Sequence, residues 1–395
     1  MNEPVNEPAQ RARAGEVFLR FLRLGCTSFG GPVAHLGYFR EEFVEQLRWL
    51  DEAALAEVVG LCQSLPGPAS SQVGFTIGLM EAGIPGGAAA WLGFTLPSAL
   101  LMLGFAYGHS WLGGRWGAGL LHGLMLAAVA VVAHAVWGMS RSLTPDWTRR
   151  LIAVAAAVLM LTSRSAGAQL ITLGAGAAAG LLLCRGVNDG RGGLRSRLSR
   201  RVSFAAAVLF VTLFVVPPLI HRPATQLFAA FYRTGSLVFG GGHVVLPLLE
   251  RVTVARGWVS QEAFLAGYGA AQAVPGPLFS FAAYLGAVSK PVPELVGAAL
   301  ALTAISLPGL LLVVAVLPWW SRLRGNQWMQ AAIAGVNASV VGLLLAALYR
   351  PVWTSAVRSP WDAAIAVAGF ALLAAGKARP LAVVALTALY GIVRA

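Results

Sequence analysis

The two halves of this sequence carry the same motifs in the same order. The segment FLRLGCTSFGG begins at Phe21, and the segment FYRTGSLVFGG begins at Phe231. In the same way, QSLPGP at Gln63 is matched by QAVPGP at Gln272. RWLDEAAL and GWVSQEAF lie between these motifs, and TLPS and SLPG follow them. Four motif pairs at nearly constant spacing indicate an internal duplication, so the chain is expected to fold as two copies of one unit.

Long apolar segments make up most of each copy. Hydrophobic residues form 57% of the sequence and charged residues only 11%, whereas soluble domains carry about 25% charged residues. Apolar spans near 86–109, 116–140, 293–318 and 326–349 are long enough to cross a bilayer. The sequence therefore predicts an all-α polytopic membrane protein with the lipid bilayer as a partner. It excludes soluble, collagen-like, disordered and disulfide-scaffold classes.

The segments divide the chain into five parts. We predict an N-terminal cytoplasmic tail at 1–15, a first repeat at 16–185, an Arg-rich cytoplasmic loop at 186–202, a linking transmembrane helix at 203–220 and a second repeat at 221–395. The net charge is +13, but the densest basic run, Arg185 to Arg201, lies between apolar segments. Positive-inside loops have this placement, so no nucleic-acid partner is expected. A single extra span between equal repeats predicts inverted topology.

Two motifs in each copy interrupt the apolar segments. A helix cannot run through Pro66-Gly67-Pro68 or Pro275-Gly276-Pro277, because proline removes a donor and clashes with the preceding turn. The second motif supplies Gly30 and Gly31, matched by Gly240 and Gly241. Freed backbone groups in a membrane must be buried in protein or line a wet cavity. A helix that begins after such a break directs its unpaired N–H groups at the gap. The motifs therefore predict an anion site formed by broken or re-entrant helices, with a packing kink as the alternative.

Polar side chains near the breaks are the candidate ligands of that anion. Arg23 and Arg233 occupy equivalent positions and suit an oxyanion, unless both extend to the membrane surface. Arg20 has no equivalent, so extension to the surface is expected for it. Gln63 and Gln272 precede the Pro-Gly-Pro motifs and can donate an amide hydrogen bond. Ser64 and Ser70 accompany only the first break, so we expect the first repeat to make more ligand contacts.

Few titratable groups lie in the apolar segments. The candidates for ion coupling are Glu57, His35 and His243. The acidic residues that follow Arg40 are expected to form a solvated, self-paired face. No phosphate-binding loop, HExxH or GxSxG motif is present, and no Cys, His or carboxylate spacing predicts a metal. We therefore expect no catalytic residues, no metal and no cofactor, and the chain is not expected to be an enzyme.

The segment from Phe21 to Gly108, with its FGGP and QSLPGP motifs, resembles the chromate ion transporter family. The segment from Phe231 to Pro318 resembles the same domain again, as in the long-chain, two-domain form. The resemblance implies efflux of chromate across the cell inner membrane, driven by the electrochemical gradient and conferring chromate resistance. It also implies sulfate as a related oxyanion. The second copy departs from the family pattern, because Gly242 replaces the proline of FGGP.

Two other functions stay open at this point. One is transport of another oxyanion, such as sulfate or molybdate, and the other is a non-transporting membrane scaffold or sensor. The duplicated polar breaks disfavour a scaffold, which has no use for them. The oligomeric state also stays open, with a homodimer among the candidates.

Overall fold

The computed structural model describes residues 13–29, 31–109, 114–163, 168–184, 198–239, 245–290, 292–320, 323, 326–376, 378 and 380–395. These residues form helices and connecting turns without a strand, which confirms the predicted all-α class. The helices of the first repeat are α1 (Ala14–Thr27), α2 (Gly31–Arg40), α3 (Glu52–Ser64), α4 (Ala69–His109), α5 (Gly114–Leu143), α6 (Trp147–Thr162) and α7 (Ala168–Leu183). A π-helical turn, Glu41–Gln46, extends α2.

A linking helix precedes the second repeat. It is α8 (Arg200–Val215), followed by the 3-10 turn Pro217–Leu219. The second repeat then forms α9 (Pro223–Leu237), α10 (Val245–Thr253), α11 (Gln261–Ala271), α12 (Phe281–Val288), α13 (Glu294–Val316), α14 (Gln327–Ala347), α15 (Pro360–Ala374) and α16 (Pro380–Arg394). Short turns lie at Leu278–Ser280, Leu317–Trp319, Leu348–Trp353 and Thr354–Ala356.

The helix that precedes each Pro-Gly-Pro is short, as predicted. Helix α3 has 13 residues and α11 has 11, so each is about 20 Å long or less, whereas a bilayer core is about 30 Å thick. Asp51 and Ser260 cap these two helices at equivalent positions, accepting hydrogen bonds from the amides of Ala54 at 2.7 Å and Ala263 at 3.2 Å. Helix α4 bends sharply at Gly83, where φ is +67°. Its first part therefore corresponds to α12 and its second part to α13.

Close helix contacts recur at equivalent positions of the two repeats. Gly25 of α1 packs against the main chain of α4, where an added Cβ would lie 2.8 Å from the Gly93 carbonyl oxygen. Gly235 of α9 packs on the Ile305 carbonyl of α13 in the same manner. The contact between Gly286 and Gly297 likewise matches that between Gly78 and Gly86 in α4. The duplication is thus visible in the packing as well as in the sequence.

The last two helices of each repeat pack on the long helix of the other repeat. Helices α6 and α7 lie against α14, and α15 and α16 lie against α5. Glycines again permit the approach: Gly335 of α14 meets Gly176 and Gly180 of α7, while Gly123 of α5 meets the main chain at Thr387 of α16. The two repeats are therefore interlocked.

Five helical segments of the described chain are long and apolar enough to cross a membrane: Ala69–Gly108, Trp116–Arg141, Arg200–Leu219, Glu294–Trp319 and Gln327–Ala356. Exposed aromatic residues lie near both ends of α5, at Trp116 and Trp137, and at the equivalent Trp328 and Tyr349. Each pair is about 32 Å apart at 1.5 Å per residue, which matches the thickness of a bilayer core. Aromatic side chains favour the membrane surface, so these pairs delimit the bilayer.

Candidate functional site

The breaks of one repeat bind the breaks of the other at the centre of the molecule. The amide of Gly67, in the first Pro-Gly-Pro, donates a 2.7 Å hydrogen bond to the carbonyl of Val238. The amide of Gly276, in the second Pro-Gly-Pro, donates a 2.8 Å hydrogen bond to the carbonyl of Ser28. Val238 and Ser28 each directly precede a Phe-Gly-Gly motif. The two bonds are equivalent under the internal repeat, and we call the region they define the crossing.

Glycine is required at both bonds of the crossing. Gly67 has φ +130° and Gly276 has φ +93°, a region that residues with a side chain rarely adopt. Space is short as well. A Cβ on Gly67 would lie 2.9 Å from the Cα of Gly309, and one on Gly276 would lie 3.1 Å from the Ser98 hydroxyl. The flanking prolines restrict φ further, so each break has a single defined conformation.

A buried amide that sequence reasoning missed holds the first break. Gln72 is completely buried near the start of α4. Its Nε2 donates to the carbonyls of Pro66, at 3.0 Å, and Gly309, at 3.1 Å. It therefore ties the first Pro-Gly-Pro to α13 of the other repeat. Phe281 is the equivalent residue of the second repeat, and it packs edge-on against Phe264 and Tyr268. The signal was a lone glutamine in an apolar helix, four residues after Pro68.

Buried polar atoms without a hydrogen-bond partner surround the crossing. Within the described chain they include the Ser28 hydroxyl, the Thr95 hydroxyl and Nε2 of Gln272, and the buried His35 ring interacts with the Ser28 main chain. Ser28 supplies the carbonyl that Gly276 binds, and Gln272 lies in the same loop as Gly276. The His35 ring packs edge-on against Phe94, with 5.1 Å between ring centroids, and Thr95 follows Phe94 in α4. These neutral groups can donate several hydrogen bonds to one small ligand.

The predicted amide and hydroxyl ligands lie in different surroundings. Gln63 is exposed at the end of α3, whereas Nε2 of Gln272 is buried. The Ser64 hydroxyl donates back to the Gly60 carbonyl at 2.8 Å, within its own helix. Ser70 is buried in the first turn of α4. The unpartnered donors therefore come from both repeats and lie near the bond between Ser28 and Gly276.

The structure does not bring the two equivalent arginines to the crossing. Arg23 and Arg233 are exposed on α1 and α9, and the Arg233 guanidinium lies 5.5 Å from the centre of the Phe214 ring of α8. Arg20, which was expected to extend to the membrane surface, instead lies 3.4 Å from the buried carboxylate of Glu42.

Of the coupling candidates, His35 is buried beside the crossing and Glu57 is buried in α3. His243 lies outside the described residues, as do Gly30, Gly240 and Gly241. Gly31 begins α2 with φ +77°.

The acidic face after Arg40 is self-paired, as expected. The Arg40 guanidinium binds Glu45 at 2.5 Å and Glu52 at 2.6 Å, so it joins α2 to the first turn of α3. These carboxylates raise the pKa of Arg40 above its usual value. The three side chains are about half exposed, so these ion pairs join neighbouring helices at the surface and are not part of a transport path.

A family model described as "Chromate transporter" matches the chain twice, over residues 15–181 and 225–392. The chain belongs to the chromate transporter family. The matched segments coincide with the two interlocked repeats, so the crossing lies where two chromate transporter domains meet. The family is one of membrane transport, so this member is a transporter and not an enzyme.

Curated relatives cover nearly the whole transporter. A "Chromate transport protein" of Pseudomonas aeruginosa is 30% identical over 92% of this chain and 86% of its own length. A protein of the same description from Cupriavidus metallidurans is 27% identical over 100% of this chain and 98% of its own. A "Probable chromate transport protein" of Synechococcus elongatus is 28% identical over 83% and 82%. No solved structure matches the chain.

Proposed function

We propose that this chromate transporter exports chromate from the cytoplasm through the crossing. The observation that carries the proposal is the pair of equivalent hydrogen bonds, from Gly67 to Val238 and from Gly276 to Ser28, with unpartnered buried donors beside them. In the cell we expect the transporter to lie in the inner membrane and to confer chromate resistance.

The chemistry of the crossing suits a tetrahedral dianion. Chromate carries four oxygens that accept hydrogen bonds, and it must exchange its water shell for protein donors. Ser28, Thr95 and Gln272 supply such donors in a buried setting, where an unmet hydrogen bond costs about 1–3 kcal/mol. Helix α4 begins directly after Pro68, so its first amides and the positive end of its dipole lie at the break. Anions bind readily at such helix starts.

The membrane potential is sufficient to drive export. Moving one charge through 100 mV is worth about 2.3 kcal/mol, so a dianion that leaves a negative interior gains about 4.6 kcal/mol. This corresponds to roughly a 10³-fold concentration ratio. Proton exchange is therefore not required by the energetics. His35 and Glu57 are the groups that we propose for coupling if protons do take part.

Sulfate is the second substrate that the site favours. Neutral donors recognise the shape and the acceptor oxygens of an anion, and chromate and sulfate share both. We therefore expect sulfate to compete. A scaffold is disfavoured, because buried donors without partners destabilise a protein that binds nothing.

Inside-out membrane vesicles test the proposal. Vesicles that contain the transporter should accumulate chromate when an inside-positive potential is imposed, and vesicles without it should not. A Gln272→Leu transporter, expressed at the same level, should take up chromate with weaker apparent affinity. Net movement of chromate out of preloaded inside-out vesicles, without uptake into empty ones, would indicate import. Uptake of sulfate or molybdate that is insensitive to chromate would assign another oxyanion.

A further inference from the structure

Helices α3 and α11 are equivalent in sequence but pack differently. Gly269 of α11 sits directly on the Leu124 carbonyl of α5, with no room for a Cβ. Gly60 is the equivalent residue of α3, because both glycines lie three residues before the glutamine of their motif. A Cβ on Gly60 would meet no described atom within 4 Å. One helix is therefore closed onto a neighbour, and the other stands open at the same position.

The difference extends along one face of the two helices. Tyr268 and Gly269 are buried, whereas their equivalents Val59 and Gly60 are partly exposed. Nε2 of Gln272 is buried, whereas Gln63 is exposed. Residues 59, 60 and 63 share one face of a helix, so a single neighbouring helix packed on α3 would cover all three.

The internal repeat identifies the helix that the open face lacks. Helix α5 corresponds to α14, because Gly123 and Gly335 make equivalent contacts with α16 and α7. Leu124 and Val336 directly follow these glycines. The contact between Gly269 and Leu124 therefore has a direct counterpart, which is Gly60 against the main chain at Val336.

We propose that α3 and α11 are the two gates of the transporter. In this structure the α11 gate is closed and the α3 gate is open. In the alternate state the α3 gate is closed, with Gly60 packed against Val336, and the α11 gate is open. This inference rests on the proposed function, because it requires that an anion passes through the crossing. Gln63 lies at the end of α3 and Gln272 directly follows α11, so each gate leads into the Pro-Gly-Pro loop of its own repeat. The exchange also explains Gly60. A glycine inside a helix is destabilising, and no described atom near Gly60 in the open arrangement requires one.

The proposal identifies glycine substitutions that trap one state each. In Gly60→Leu the added Cβ meets no described atom within 4 Å in the observed structure, but the side chain prevents closure on α14. Gly269→Leu prevents closure on α5 and is accommodated only in the exchanged state. Gly174→Leu is the matched control, because Gly174 is exposed on α7 and a Cβ there also meets no described atom within 4 Å.

Thiol labelling in membranes reads out the gates without any substrate. The native thiols are first removed by the substitutions Cys26→Ser, Cys62→Ala and Cys184→Ala. Serine and alanine are chosen for the first two because Ser236 and Ala271 occupy the equivalent positions of the second repeat. A single reporter, Gln63→Cys or Gln272→Cys, is then labelled with a maleimide. We expect Gly60→Leu to lower labelling at position 272 more than about tenfold and to retain it at position 63. Gly269→Leu should do the reverse, and Gly174→Leu should leave both rates unchanged.

Two outcomes overturn the proposal. Unchanged labelling in Gly60→Leu would show that α3 does not close. A Gly269→Leu protein that fails to assemble, while Gly60→Leu assembles, would show that no exchanged state exists to accommodate the leucine. Reciprocal labelling in a chain that does not move chromate would retain the gates and reject the substrate, so the failures of the two proposals are distinguishable.

Discussion

Replacing Gln272 by leucine should weaken chromate binding without weakening the fold. Nε2 of Gln272 is buried and has no hydrogen-bond partner in the described chain. If it donates to the bound anion, its loss from a dry site costs about 1–3 kcal/mol, or roughly 5- to 150-fold in apparent affinity. Leucine is close in size, so no large cavity forms. Removal of an unpaired buried amide should leave the melting temperature unchanged or raise it.

Gln63→Leu is the matched control for this prediction. Gln63 occupies the same position in the first motif, but it is exposed. Changes at exposed positions usually alter free energies by about 0.5 kcal/mol or less, which is roughly a twofold change in affinity. The sequence alone ranked the two glutamines the other way, because the first break carries more hydroxyl groups.

Chromate uptake into inside-out vesicles, at equal expression, gives the apparent KM of both variants. Sulfate inhibition measured in the same vesicles should weaken in parallel in Gln272→Leu. Thermal unfolding in detergent reports the fold. A Gln272→Leu transporter with a normal KM, or one that loses affinity only as it loses thermal stability, would refute the assignment of this amide to the anion. A larger loss in Gln63→Leu would return the binding site to the first break.

Four further predictions follow from the same geometry. Gln72→Leu should destabilise the protein by about 2 kcal/mol in detergent unfolding, since it removes the two hydrogen bonds that join Pro66 to Gly309; an unchanged melting temperature would contradict this. Gly276→Ala should abolish vesicle uptake, because φ is +93° and space is short, whereas Gly174→Ala should be active. Arg20→Gln should lower the free energy of unfolding by about 1–2 kcal/mol, because it leaves the Glu42 carboxylate buried without its cation. The control Arg23→Gln should not lower it. Equal melting temperatures of the two variants would show that this ion pair does not stabilise the protein. Pro145→Cys and Pro360→Cys should react with an impermeant maleimide from opposite sides of the membrane; labelling from one side would refute the inverted repeats.

The fold could be predicted from the sequence to the extent that it depends on local rules. Pro-Gly-Pro must interrupt a helix, and long apolar runs without charge must span a membrane. The predicted long spans therefore agree with α5, α13 and α14 to within a few residues. The span predicted to begin near residue 86 starts directly after the bend at Gly83, so this boundary also agrees with the prediction.

The site was predicted less well, because it depends on contacts between distant residues. The repeats indicated that the breaks matter, but not that each Pro-Gly-Pro binds the residue before the other repeat's Phe-Gly-Gly. Gln72 reaches Gly309, which is far away in sequence, so no spacing rule could identify it. The arginines satisfied a chemical rule for oxyanions, but which face of α1 and α9 they occupy is set by packing with neighbouring helices.

The exchange of terminal helices between repeats imposes an order on biosynthesis. Helices α6 and α7 emerge from the ribosome before their partner α14 exists. The intervening chain is about 145 residues, which takes roughly 7–30 s to translate at about 5–20 residues per second. Throughout that interval Gly176 and Gly180 face lipid or the insertion machinery instead of Gly335. The packing of the first domain is therefore completed only after α14 has been made, and a ribosome that stalls within the second half leaves a membrane-inserted fragment with an unfilled helix groove.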